Sequence, residues 1–318
     1  MNNNRTSQVT RRQFLTCASL GAAGLWLAPR DLFGQDGNLV TVSRDQGASA
    51  KIAVQKLRGG VSVLSGSGGN IAVLSGADGK ILVDAGLTTS GRGIAEALAG
   101  INADPVRHLV NTHWHFDHTD GNEWLSSAGA RIIAQENTRK HLSTATRVEA
   151  WNFTFLPSSA AALPTEVFRQ DLTLHLNSTT LVLKYYEPAH TDSDISVEFV
   201  DAEILHTGDT WWNGHFPFID YSTGGSIDGA IRAAEANIAR VTDKTLIIPG
   251  HGPVGDKSGL IEFRDMLVTI RGKVAALKKQ GKSLDETVAA APTAEYEAKW
   301  GGFFINGKTF TALVYAGV

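Results

Sequence analysis

Residues 111–122 read NTHWHFDHTDGN, with His113, His115, Asp117, His118 and Asp120 separated by two aromatic residues. Imidazole and carboxylate are the nitrogen and oxygen ligands of zinc and related divalent metals, and crowding them suits a site that needs several lone pairs at one place. At an extended strand end, residues two apart point to the same side, so His113 and His115 are expected to present imidazole to one ion. If the chain then turns, Asp117 and His118 face elsewhere, which suggests a second ion beside the first. One short loop cannot complete both coordination shells.

The remaining ligands are therefore expected at other strand ends, and three stretches offer them. His190 in EPAHT follows the apolar run LVLKYY, Asp209 in TGDT follows EILH, and His251 in PGHG follows TLII. Loops at the carboxyl ends of strands commonly build sites. Gly208, Gly250 and Gly252 would let backbone pass close to an ion. His108, His141, His175 and His206 lack such surroundings and read as structural. Asp192 and Asp194 read as residues that cap or solvate the turn after His190, and Asp120 as the N-cap of a helix beginning NEWLSS.

Working outward, VSVLSG, NIAVLSG and KILVDAG read as strands, the last two joined by a hairpin turn at residues 77–80. Helices are expected at 91–100, 228–240 and 257–279, and further strands at HLVN, RIIAQ, DLTLHL, TTLVLKYYE, ISVEFV and TLII. No linker rich in Pro, Gly or Ser interrupts residues 60–318, so a single domain is expected over residues 37–318, ending in a helical extension.

The chain has 318 residues, 42% hydrophobic and 19% charged, with a formal net charge of -3. That is enough apolar material for a large core, and without a basic block a nucleic-acid partner has no support. Residues 1–36 differ from the rest. A basic start with paired Arg11 and Arg12 before Phe14-Leu15 precedes an apolar run of about 14 residues, short of the roughly 20 that span a bilayer. This pattern resembles a twin-arginine export signal and implies the export machinery as a partner of the precursor, a periplasmic location and no stable membrane anchor. Cys17, the only cysteine, lies inside it, so any metal site in the body must use nitrogen and oxygen.

In order along the chain, ILVDAG with Asp84, THWHFDH, the lone His190, TGD with Asp209 and PGHG with His251 resemble the motifs of the metallo-β-lactamase superfamily of hydrolases. The resemblance spans residues 52–256 and implies an α/β fold: a four-layer αβ/βα sandwich, two mixed β-sheets packed face to face with helices outside. It implies two divalent metal ions, zinc by default with iron or manganese tolerated. His113, His115 and His190 would hold the first, Asp117, His118 and His251 the second, and Asp209 would bridge them. Asp84 would stand behind a ligand or its loop, and Asp117 would also orient the nucleophile and pass a proton.

The implied reaction is hydrolysis of an acyl bond in an ester, thioester, lactone or amide of a small-molecule substrate. The best-known β-lactamases carry cysteine at the bridging position and lysine three residues later, where this chain has Asp209 and Trp212, so only weak β-lactamase activity is expected. A mononuclear iron oxidoreductase resembling persulfide dioxygenases and a non-catalytic metal-binding protein are the alternatives. The aromatic stretch after Asp209 is read as a substrate-pocket wall comprising Trp211, Trp212, His215, Phe216, Phe218 and Tyr221.

Overall fold

The computed structural model describes residues 38–318; the export signal expected at 1–36, Cys17 included, lies outside the described residues. Strands β1 (Ala53–Lys56), β2 (Val61–Ser65), β3 (Ile71–Leu74), β4 (Lys80–Val83), β5 (Val106–Asn111), β6 (Arg131–Gln135) and β9 (Glu166–Phe168) form one sheet in that spatial order. Its β1–β4 half is an antiparallel meander, while β4, β5, β6 and β9 run parallel. Strands β10 (Asp171–Leu176), β11 (Thr179–Tyr185), β12 (Ile195–Phe199), β13 (Ile204–His206) and β14 (Leu246–Ile248) form the second sheet. Only its β13–β14 pair is parallel. A hairpin of β7 (Thr146–Val148) and β8 (Phe153–Phe155) stands apart from both.

Period-two alternation sends alternate side chains of each strand to opposite faces. Ile81, Val83, Val110 and Ile133 of the first sheet meet Leu181, Leu183, Val197, Ile204 and Ile248 of the second in one buried cluster. Their neighbours Leu82, Leu109 and Ile132 point outward and are covered by Ile94 and Leu98 of helix α2 (Gly91–Ile101). On the far side, Leu205 and Ile247 pack with α6 (Ile227–Arg240) and α7 (Lys257–Lys279). The result is the expected sandwich, two mixed sheets face to face with helices outside. Each fully buried aliphatic side chain contributes roughly 1.5–3 kcal/mol by leaving water.

Helix α7 spans the expected residues 257–279; Asp256 caps it by accepting from Gly259 N–H, and Leu260, Phe263, Met266, Leu267, Ile270 and Val274 form its buried stripe. Helices α8 (Leu284–Ala289), α9 (Glu297–Trp300) and α10 (Gly307–Ala316) end the chain, and Phe310 stacks on Phe216 at 4.9 Å. Helix α1 (Leu39–Gly47) opens the described chain. The short helices α3 (Phe116–Thr119), α4 (Asn122–Ser127) and α5 (Glu136–Ser143) follow the β5 and β6 strand ends. Among the described residues no helix is long and apolar enough to cross a membrane.

Asp120 is not the N-cap of α4, which is Gly121 with no side-chain cap. Its carboxylate instead receives the Arg44 guanidinium at 2.6 and 2.8 Å, an ion pair that outcompetes a cap because both oxygens are engaged at once.

Candidate metal centre

Strand β4 ends in Asp84, whose φ of 69° is left-handed, a conformation that a short polar residue tolerates better than a bulky one. This turn aims its carboxylate at the next loop. Asp84 accepts from the Thr112 N–H at 2.7 Å and the Thr112 hydroxyl at 2.8 Å, and lies 2.7 Å from His118 Nδ1. Strand β5 stops at Asn111, so His113 and His115 sit in a loop rather than at an extended strand end. They reach the centre with different nitrogens, and α3 turns Asp117 and His118 to a second point.

His113, His115, His190 and Asp209 each offer an atom within 4.8 Å of one another, as do Asp117, His118 and His251. Asp209 touches both groups. One oxygen lies 3.1 Å from His118 Nε2, and the other lies 3.4, 3.5 and 3.8 Å from the Nε2 atoms of His251, His190 and His113. His251 Nε2 also lies 3.2 Å from Asp117. His113, His118 and His190 come from opposite sheets yet are almost wholly buried.

The donor set fits divalent cations. His113 Nε2, His118 Nε2, His251 Nε2 and Asp209 Oδ1 are buried without a hydrogen-bond partner, and such atoms are costly unless something satisfies them. His190 donates Nδ1–H to the Phe218 carbonyl at 2.7 Å, and His115 donates Nε2–H to Asp220 at 3.1 Å. With those tautomers, His190 Nε2 and His115 Nδ1 face each other at 2.9 Å as two lone pairs, an arrangement a cation between them relieves. Outer partners of this kind fix ligand tautomer and orientation.

Electrostatics agree. Burial, reinforced by neighbouring imidazoles, holds His113 well below the usual histidine range and therefore neutral. Burial works against ionisation of Asp209, but His118, His251 and His113 outweigh it and keep the carboxyl well below its usual range. Burial also opposes charge on His251, yet Asp209 and Asp117 raise it to about 9. The cluster thus draws positive charge to itself.

Backbone approaches these side chains where only glycine fits. A Cβ on Gly250 would lie 1.9 Å from Asp209 Oδ1, and one on Gly69 would lie 2.1 Å from the His118 ring. Asn70 ties the two loops by donating from its backbone to Gly250 O at 2.8 Å and from its side chain to Pro249 O at 2.9 Å. Sequence reasoning missed Gly69, Asn70 and Asp220. Their signals were the run GSGGN and a carboxylate following Phe218-Ile219.

The expected pocket wall is only partly there. Trp212, 4.3 Å from the His251 ring between centroids, and Phe218 line the pocket beside Asp117 and Asp209. Trp211 and Phe216 belong to the same core cluster but do not line the pocket, Trp211 because extended backbone turns it opposite to Trp212, against Gly255 and Gly259. His215 lies against Phe303 at 4.7 Å, and Tyr221 points its hydroxyl at Gly317. The pocket is completed by Leu39, Ser43, Trp151 and Phe304, which the sequence did not single out. Asp194 accepts from the N–H groups of His190 and Thr191 at 2.6 and 2.8 Å, and His141 pairs with Asp192 at 2.7 Å, so neither reaches the centre.

Comparison with known proteins gives a consistent picture. The family model described as metallo-beta-lactamase superfamily matches residues 64–255. A hydroxyacylglutathione hydrolase from Polaromonas sp. is 26% identical over 158 residues, covering 49% of this chain and 52% of that protein. The chain thus spans about half the length of this curated relative. Among solved structures, a stereoselective inverting sec-alkylsulfatase from Pseudomonas sp. superposes with a TM-score of 0.63 at 15% identity, covering 86% of this chain and 51% of that one. A metallo-beta-lactamase from Pontibacter korlensis superposes with a TM-score of 0.54 at 21% identity, covering 68% and 99%. At these identities the structural likeness speaks for the fold.

Proposed function

The chain belongs to the metallo-beta-lactamase superfamily, and from that premise we propose that it is a metal-dependent hydrolase holding two divalent ions and cleaving an acyl bond in an ester, thioester, lactone or amide. The observation that carries this reading is Asp209, whose two oxygens reach the open nitrogens of both ligand groups. His113, His115 and His190 would hold one ion and Asp117, His118 and His251 the other, with Asp209 shared. Nitrogen and carboxylate donors suit zinc, and iron or manganese take the same set. When bound, such ions polarise a scissile carbonyl and lower the pKa of water from about 16 towards about 7.

The chain's own residues prepare that chemistry. Asp84, Phe218 O and Asp220 orient the imidazoles of His118, His190 and His115. Asp117 is the least buried of the seven and faces the pocket, so its carboxylate is placed to orient the attacking water and accept its proton. Trp151, Trp212 and Phe218 exclude bulk water from the reacting face. A mononuclear iron oxidoreductase would leave the trio Asp117, His118 and His251 without an ion, whereas a non-catalytic metal-binding protein would hold the same ions and differ in showing no turnover. The name of the curated relative supports acyl hydrolysis. No Lys or Arg lines the pocket among the described residues, which favours weak β-lactamase activity at most. We place the working protein in the periplasm, on the twin-arginine reading of residues 1–36.

Metal analysis of protein purified from the periplasm tests the reading, with close to two ions per chain expected. A hydrolysis panel spanning nitrocefin, acyl lactones, aryl esters and thioesters should then find a substrate. His118→Ala should drop the metal content towards one and cut turnover at least ~100-fold. Unchanged activity in both His118→Ala and His251→Ala would sink the two-ion reading. Arg11→Lys combined with Arg12→Lys should hold the precursor in the cytoplasm.

A further inference from the structure

Helix α1 roofs the metal centre. Leu39 and Ser43 line the pocket together with Trp212, Phe218 and Phe304. Four hydrogen-bonded contacts pin this helix, one of them from the Ser90 hydroxyl to Gly47 O at 2.7 Å, and Val40 on it is wholly buried. Asn38 donates to Trp151 O at 2.8 Å, Thr89 donates to Arg44 O at 2.7 Å, and the Arg44 guanidinium meets both oxygens of Asp120. Asp120 directly follows the α3 turn that carries Asp117 and His118, so the pin is joined to the ligand loop itself.

The pocket beneath it measures about 30 Å³, well short of the roughly 300–1,000 Å³ typical of ligand pockets, so an ester gains room there only when the helix lifts. Beside it lies a cavity of about 590 Å³ lined by Trp114, Phe153, Phe155 and Leu156, a volume suited to a small ligand. Phe116, Asp117's neighbour, borders both spaces, and helix α1 reaches both, with Leu39 and Ser43 on the smaller and Arg44, paired with Asp120, on the larger.

We propose that helix α1 is a hinged roof that opens at the Arg44–Asp120 pair, joining the metal pocket to the larger cavity, and that the joined site selects neutral substrates with an apolar acyl or aryl group. The substrate class rests on the hydrolase reading; the hinge does not. The selection follows from charge and surface. Arg44 is already committed to Asp120, no other Lys or Arg lines either space among the described residues, and the larger space sets the apolar wall of Trp114, Phe153, Phe155 and Leu156 beside the carboxylates of Asp120 and Glu123. An anionic group lodged in the larger space would give up water and meet Asp120 and Glu123 with no free cation to offset them.

Hydrogen exchange on the metal-loaded protein tests the hinge. Residues 38–47 should exchange faster than α7, and Arg44→Leu should speed them at least ~10-fold with metal content unchanged, with Arg44→Lys in between. Saturating 1-phenyl-2-pentanone, a neutral ketone in which methylene replaces the ester oxygen of phenyl butyrate, should speed them too, because it fits only with the roof raised. If α1 exchanges as slowly as α7 and ignores both Arg44→Leu and the ketone, the hinge is wrong.

Kinetics test the selection. Phenyl hexanoate should have a higher kcat/KM than phenyl acetate, and both should exceed phenyl hemisuccinate and 4-nitrophenyl sulfate. Phe153→Ala should narrow the hexanoate preference about tenfold through KM rather than kcat. Equal or better turnover of the anionic esters, or a hexanoate preference untouched by Phe153→Ala, overturns the substrate class. If metal-loaded protein hydrolyses none of these nor anything in the wider panel, the hydrolase reading fails with it, while the exchange response still decides the hinge.

Discussion

Each oriented imidazole commits one nitrogen to a fixed partner and keeps the other for the centre, so the partner controls how well the ligand is aimed. Asp220 is the clearest case. It accepts from His115 at 3.1 Å and from the Thr223 hydroxyl at 2.6 Å, and burial against ionisation is outweighed by His115, leaving its carboxyl below the usual range. Asp220→Asn keeps an acceptor but loses the charge, and should weaken metal affinity about 10- to 100-fold with folding intact. Competition against a coloured chelator measures it, and an unaltered affinity would reduce Asp220 to a prop for Thr223. His206 makes a different prediction. Its Nδ1 accepts from Gly208 N–H at 3.1 Å and its Nε2 lies 3.2 Å from Asn70 O, an arrangement for the neutral ring. Burial holds its pKa below the ordinary 6.5. The folded state therefore binds fewer protons than the unfolded chain, and the stability this contributes is complete above pH 6.5 and lost as pH falls below it. Urea unfolding of metal-free protein at pH 7.5 and 5.5 should show the loss, and His206→Asn, which cannot titrate, should show less of it.

At the scale of elements, the loops are held by backbone contacts as close as those inside a strand pair. Gly250→Ala would drive a methyl into Asp209 Oδ1; a displacement of about 1 Å in such a site costs on the order of 100-fold in rate. The variant should therefore keep its far-ultraviolet dichroism while losing turnover and part of its metal, and normal metal content would show that the loop yields instead. Strands and long helices were legible in the sequence because periodicity reports which face is buried: Ile81, Val83 and Leu82 divide between the two sides of one sheet, and α7 keeps its stripe for 23 residues. The loops were less so. Trp211 and Trp212 are identical side chains in adjacent positions, and only the extended backbone at Trp211 and the bridge from Trp212 to His251 decide which one meets the pocket. Asp120 looked like a cap because its partner Arg44 lies 76 residues away. Leu39 and Ser43 carried no signal, since a roof is defined by what lies beneath it.

At the scale of the whole molecule, the centre joins two halves that the apolar core already holds. Asp84 and residues 113–118 follow strands of the first sheet, whereas His190, Asp209 and His251 follow strands of the second. Apolar packing between the sheets is indifferent to metal, but the loops at this edge bring buried carboxylates and imidazoles within 4 Å of one another. Ions bound only by the folded chain stabilise it by mass action, about 4 kcal/mol for a site at a thousand times its dissociation constant. At ~2–4 °C per kcal/mol for a chain of this size, chelation should lower Tm by on the order of 10 °C, and restored metal should recover it. Scanning calorimetry with metal analysis of the same samples checks this. His118→Ala, which lacks one ligand of the second group, should start lower and respond less to the chelator. A chelated protein shown to be metal-free that melts where the loaded one does would mean that hydrogen bonds such as Asn70 to Gly250 hold the edge closed unaided, and the ions would then serve chemistry alone.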